Sequence, residues 1–275
     1  MGVMNAGVCG GMSPLSLASA MGHTSIVETL LMLDNVVDVN FNDGGTALVM
    51  AVTEGQSDVV ALLLKAKGVD VNLLEASTGG TALQAAALLG HTEIVRQLLR
   101  VANVEMNSQS REGSSPLMMA ARGGHVGVVD LLLSAAAVDI NLLDNLGDNV
   151  LTSAVSTGNA LIVSSLLQSA KLIDVNHKNN AGFTSLMLCS LLGHTAMVDE
   201  LLHKSADVNV RSKDGWTALL YAIAKGHVGI VKLLLTVKDI DLEAECSQGW
   251  TASTLATHLQ LTDILELLEA VETAF

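Results

Sequence analysis

GGTALQAAALLGHTEIVRQLL, residues 79–99, is the stretch on which the reading of this chain turns. It holds one histidine, His91, directly after a glycine. The same Gly-His pair recurs at Gly22-His23, Gly124-His125, Gly193-His194 and Gly226-His227, which accounts for five of the eight histidines. A recurrent imidazole invites a metal site; the spacing argues for architecture instead.

Aligned on that stretch, a Ser/Thr-X-Leu element recurs at Ser13, Thr46, Thr81, Ser115, Thr184 and Thr217, with Asn149 and Thr251 in the same slot of two weaker copies. Successive intervals are 33, 35, 34, 34, 35, 33 and 34 residues. Five positions later each copy has a small residue: Ala18, Ala51, Ala86, Ala120, Ala154, Cys189, Ala222 and Ala256. Glycine follows four further on, from Gly22 to Gly226, and the last copy has Gln260-Leu261 in place of Gly-His. Units close on Asp-Val-Asn-like triplets such as Asp70-Val71-Asn72 and Asp207-Val208-Asn209. Self-similarity at this period is the signature of a repeat protein.

The pattern resembles the ankyrin repeat, G-x-T-P-L-x-x-A-A-x-x-G-H-x-x-I-V-x-L-L-L-x-x-G-A-D-V-N, over roughly residues 10–270. The third copy supplies Gly79, Thr81, Leu83, Ala86, Gly90, His91, Ile94, Val95, Leu98 and Leu99. Proline survives in its slot only at Pro14 and Pro116. The resemblance implies a mainly α solenoid of stacked antiparallel helix pairs with projecting β-hairpin or loop fingers. It is expected as one domain over residues 1–275, with a tail at 1–9 and repeats near 10–44, 45–79, 80–113, 114–147, 148–182, 183–215, 216–249 and 250–275. It also implies that asparagines of the triplets (Asn72, Asn141, Asn176, Asn209) are of the type that a dioxygenase hydroxylates in some organisms.

Physical chemistry supports the same shape. Leu83, Ala86 and Ala87 share one face of a short helix, and Ile94, Val95, Leu98 and Leu99 one face of a second. Neither is long enough to persist alone in water, so stability must come from interfaces between copies. Gly90 suits a left-handed helix stop. Gly44-Gly45, Gly79-Gly80 and Asp214-Gly215 mark tight turns. Histidines placed one per repeat, on helices about 8–10 Å apart, are badly set to converge on one zinc with nitrogens about 2.0–2.1 Å away. They are expected to hydrogen-bond turn backbone and the neighbouring repeat.

Composition narrows the rest. Half of the 275 residues are hydrophobic but six are aromatic, so the core is aliphatic. The net charge is −14: residues 1–64 hold six acids and residues 239–275 eight, with no Lys or Arg in either. A nucleic-acid partner would need a basic stripe; none is expected. Cys9, Cys189 and Cys246 suggest no disulfide framework, and no Asn-X-Ser/Thr acceptor occurs, which fits the cytoplasm, with the nucleus as a second compartment. There is no basic n-region, Ala6 stands where a myristoylation signal needs Ser or Thr, and no apolar run reaches the ~20 residues needed to cross a bilayer. Membrane insertion is therefore not expected.

No phosphate-loop, dinucleotide, metalloprotease or nucleophile-elbow motif is present, and Cys189 sits in the small-residue slot. The chain is therefore expected to be neither an enzyme nor a holder of metal or cofactor. It reads as a monomeric interaction module, an adaptor or scaffold whose concave face takes a protein or peptide. The alternative is the targeting region of a larger enzyme such as a kinase or ubiquitin-ligase component. Candidate contact residues are the aromatics before the Thr slot, Phe183, Trp216 and Trp250, together with Tyr221. Surface slots of the inner helices add Leu88, Leu89, Arg122, Leu191, Leu192 and Lys225, beside Met21 and Glu54. Aromatics and Leu pairs suit an interface core, although an aromatic in that slot can equally pack on the adjacent finger.

Overall fold

The computed structural model describes residues 12–33, 37–42, 45–75 and 79–273. The expected tail at 1–9, Cys9 and Gly44 lie outside them. The described residues form sixteen helices: α1 (Pro14–Ala20), α2 (Thr24–Leu31), α3 (Ala47–Thr53), α4 (Ser57–Leu63), α5 (Ala82–Leu89), α6 (Thr92–Leu98), α7 (Pro116–Arg122), α8 (Val126–Ser134), α9 (Val150–Val155), α10 (Ala160–Gln168), α11 (Ser185–Leu192), α12 (Thr195–His203), α13 (Ala218–Ala224), α14 (Val228–Leu234), α15 (Ala252–His258) and α16 (Thr262–Glu272). Each expected repeat contributes one pair. Where the sequence suggests a single domain, the helices gather into two compact units, Met1–Asn145 and Leu146–Phe275.

The period is written into the helix starts. In every pair the Ser/Thr slot is the N-cap of the first helix, and its side-chain oxygen accepts the backbone N–H three residues on: Ser13 from Ser16, Thr46 from Val49, Ser115 from Met118, Asn149 from Thr152, Thr184 from Met187 and Thr217 from Leu220. Thr81 and Thr251 add the reciprocal bond of a capping box, through Gln84 and Thr254. These helices are six to eight residues long, so one satisfied orphan N–H weighs heavily in their stability.

Gly90 ends α5 at φ +77° and has a second reason to be glycine. A Cβ there would lie 2.4 Å from Nδ1 of His125, one repeat further on. That imidazole rests on the turn, and its Nε2 donates to the Leu88 carbonyl at 2.8 Å. His227 reaches the equivalent Leu191 carbonyl at 3.4 Å. Gln56 takes the histidine slot in repeat 2 and donates to Ala20 O at 3.2 Å. His125 and His227 thus tie one turn to the next. His91 lies against Gly55 in the same way, although its Nε2 has no hydrogen-bond partner.

Packing follows the same register. Within Met1–Asn145 the first helices α1, α3, α5 and α7 lie side by side, as do α2, α4, α6 and α8; within Leu146–Phe275 the odd and even helices repeat this order. The small slot is fully covered at Ala51, Ala86, Ala120, Cys189, Ala222 and Ala256. Val60, Leu63, Val95, Leu98, Val231 and Leu234 of the second helices are equally covered, each side chain contributing about 1.5–3 kcal/mol of burial. The triplets build a further ladder. Asn40, Asn72 and Asn107 donate their amides to the next repeat at Gly68, Asn103 and Ala137, and accept the N–H of Asp70, Glu105 and Asp139, all at 2.8–2.9 Å. Asn209 does the same towards Asp239 and Asp241.

Of the two forms expected for the fingers, β-hairpin or loop, the structure shows the second: no strand occurs among the described residues. Those at residues 110–114, 179–183, 212–216 and 246–250 are tight turns closed by two backbone bonds, as in Ser212 N–H to Trp216 O and Gly215 N–H to Ser212 O. The ladder above fixes the turns without longer strand pairing.

Caps and joints can be tested in the second unit, because Trp216 and Trp250 are the only tryptophans of the chain. In guanidinium unfolding followed by tryptophan fluorescence, Thr184→Ala is expected to cost about 1 kcal/mol. Cys189→Leu, overfilling the joint, should cost about 1–3 kcal/mol. Unchanged midpoints in both would remove this explanation of the fold.

Candidate functional site

An apolar groove lies in the first unit, where α3, α5 and α7 run side by side. It encloses about 410 Å³ and is lined by Val49, Met50, Thr53, Ala85, Leu88, Leu89 and Met119, with Glu75, Gly80 and Ser110 from the fingers. Its origin is a size pattern. The position four after the cap slot holds Met50, Ala85 and Met119 in successive repeats, and the small residue between two long ones leaves the hollow. Leu88 and Leu89, 47% and 43% exposed, form its rim. One wall is fixed by Gln84, which is buried: its Oε1 accepts Thr81 N–H at 2.8 Å, and its Nε2 donates to the carbonyls of Ser108 and Ser114 at 2.9 and 3.1 Å. Among the described residues Glu75 is the one charged lining residue. Such a cleft, apolar with few polar groups, is suited to holding an apolar side chain.

Of the expected contact residues, Leu88 and Leu89 meet here. Met50 and Met119 line the groove with them, and the Met-Ala-Met alternation in one slot is the only sequence signal for it. Arg122 is committed elsewhere. Its guanidinium donates to Ser114 Oγ at 2.8 Å and forms an ion pair with the buried Asp144, so it clamps the following finger to α7.

In the second unit the aromatics find each other. Tyr221 stacks on Phe183, ring centres 5.2 Å apart, and on Trp216 at 5.1 Å. Its hydroxyl donates to Ser212 Oγ at 3.4 Å, and burial pushes its phenol pKa above the ordinary value, with the Asp214 charge adding to the rise. Trp250 packs on the His258 ring at 4.8 Å. All three slot aromatics are half-buried, Phe183 and Trp216 against Tyr221 of α13 and Trp250 against His258 of α15. Leu192 and Lys225 are exposed at the ends of α11 and α13, and Leu191 is half-buried.

The chemistry available is limited. Among the described residues no three His, Cys, Asp or Glu side chains gather as a metal site. The Cys189 thiol is buried, which pushes its pKa strongly upward and keeps it a neutral thiol.

A sequence profile described as "Ankyrin repeats (3 copies)" matches residues 1–75, 67–144, 136–212 and 186–272. The chain belongs to the ankyrin-repeat family. Such repeats are protein–protein interaction modules. It is similar to a protein described as "Ankyrin repeat and SAM domain-containing protein 6", 36% identical in Mus musculus and 35% in Rattus norvegicus over 100 residues. That alignment covers 35% of this chain and 11% of either relative, so the chain matches a small part of their length. Among solved structures it resembles the ankyrin repeat domain of Bcl-3, "a unique member of the IkappaB protein family", with a TM-score of 0.72 and 25% identity, over 82% of this chain and 98% of that one. No helix among the described residues is long and apolar enough to cross a membrane.

Two measurements check these assignments. Tyr221 is the single tyrosine, so ultraviolet titration of the folded chain should place its ionisation above the ordinary phenol range, returning to it in denaturant; equal values would contradict the stacked, buried ring. Arg122→Ala should lower stability by about 1–3 kcal/mol by stranding a buried carboxylate; a neutral outcome in thermal or denaturant unfolding would free Arg122 for partner contact.

Proposed function

We propose that this chain is a non-catalytic adaptor or scaffold module that grips a protein or peptide segment through its first helices, with the groove between α3, α5 and α7 as the anchor point. The observation that carries the reading is an apolar hollow walled by fixed backbone and rimmed by two exposed leucines. An inserted apolar side chain would be desolvated there, the environment in which interface hot spots form. Phe183, Trp216, Tyr221 and Trp250, with Leu191, Leu192 and Lys225, form a secondary contact surface in this proposal, because stacking has already consumed much of their area. The adaptor role suits relatives whose description pairs ankyrin repeats with a second domain. The same description names no catalytic domain, so the enzyme-targeting alternative gains nothing from it. The two described cysteines, both free thiols, support a setting in the cytoplasm or nucleus, and the acidic balance supports a protein rather than a nucleic-acid partner.

A random peptide library on phage, selected against the whole chain, tests the reading. Selected peptides should share a bulky apolar residue. Leu88→Glu should weaken them at least about tenfold, or about 1.4 kcal/mol, while Trp216→Ala leaves most of the affinity. A selection that yields nothing, or peptides indifferent to Leu88→Glu, would sink the groove as the anchor.

A further inference from the structure

The walls of the groove between α3, α5 and α7 follow the repeat. The slot four after the cap holds Met50, Ala85 and Met119 in repeats 2, 3 and 4, all half-buried. Along the row of first helices the hollow is therefore one alanine wide, with a methionine at each end. Across the row it meets the fingers through Glu75, Gly80 and Ser110, and at the far end of α5 it meets Leu88 and Leu89. A segment crossing the row runs into the fingers, whereas one following the row has only the two methionines to pass.

That path sets the conformation of what lies on it. Packed helices are about 8–10 Å apart. A polyproline II chain advances about 9 Å in one turn of three residues, so every third side chain faces the same way at the pitch of the repeats. In a β-strand side chains alternate, and residues three apart face opposite sides. The finger wall spends Glu75 N–H on Gly80 O and Gly79 N–H on Glu75 O, so those groups give a partner no strand pairing; polyproline II needs none. A side chain above Ala85 sinks into the hollow, while those three places before and after it lie above Met50 and Met119, where only a small residue fits. Charge bears on the positions between. Glu75 lines the hollow and Glu54 is exposed at the end of α3. Arg122 of α7 is held by Asp144, and the neighbouring Arg111 and Glu112 offset each other. The surroundings are thus negative among the described residues, in a chain of net charge −14.

We propose that the groove selects a basic polyproline II segment running along the row of first helices, with one bulky apolar residue above Ala85, small residues three places to either side of it, and Lys or Arg between them. The inference rests on the groove being the anchor point and adds the register and charge of what it holds.

Linear peptides selected on phage against the whole chain, then measured by fluorescence anisotropy, test it. They are expected to share the anchor with small residues at both third places, to be rich in Pro and in Lys or Arg, and to lose affinity as salt rises. Leucine placed at either third place should weaken binding at least about tenfold. Met50→Ala should restore one of those two places and Met119→Ala the other, because each removes one obstruction. Circular dichroism of both variants should match the parent. Peptides that fail on Leu88→Glu yet accept leucine at both third places overturn the register and leave the anchor standing. Rescue of neither place, or binding indifferent to salt, overturns the inference as well. Peptides indifferent to Leu88→Glu, or none selected, remove the anchor and this inference with it.

Discussion

A helix pair of this chain leaves one flank of its apolar residues bare, and only a neighbouring pair can cover it. The other features serve that constraint. The small slot at Ala86 or Cys189 lets first helices approach closely. The imidazole of His125 settles on Gly90 and bonds the Leu88 carbonyl, so the turn that stops one helix also receives the next repeat. The asparagines of the triplets spend both amide partners on the following turn. Covered side chains, turn-to-turn imidazoles and an amide ladder are three separate ties between the same neighbours, which is how helices of six to eleven residues persist at all.

That division of labour explains what is left for function. The cap hydroxyls, the histidines and the single buried cysteine of the small-residue slots are occupied by architecture. The positions free to vary lie on the exposed side of the first helices, and their sizes set the relief. Met50, Ala85 and Met119 make a hollow because an alanine sits between two methionines. Phe183, Tyr221 and Trp216 make a filled ridge instead, since adjacent large rings stack on one another. One backbone pattern thus yields a groove in one unit and a packed aromatic surface in the other.

Much of this was legible in the chain. The Ser/Thr slot announced all eight helix starts, and Gly90 its helix stop. The slot of Gln260 was read as a weak terminal copy, and there the backbone takes φ +57° even without glycine, because the register of the turn outweighs the cost of a side chain in that region. The functional surface was less legible. The pattern puts Leu88 and Leu89 in surface slots, and they line the groove, whereas it does not single out Met50 and Met119 beside them. The pattern puts Arg122 in a surface slot and carries no sign of its pairing with Asp144 twenty-two residues away. Spacing fixes where a backbone position falls. Which side chains then share a space depends on the sizes of three neighbours at once, and no single repeat contains that information.

The claim that neighbours hold each other up is most directly tested by native-state hydrogen exchange after Leu98→Ala, a fully covered residue of α6 whose truncation should cost about 2–5 kcal/mol. The account predicts that amide protection falls in α4 and α8 as well as in α6. Loss confined to α5 and α6, with the flanking pairs unchanged, would show that each helix pair stands by itself and would contradict the account.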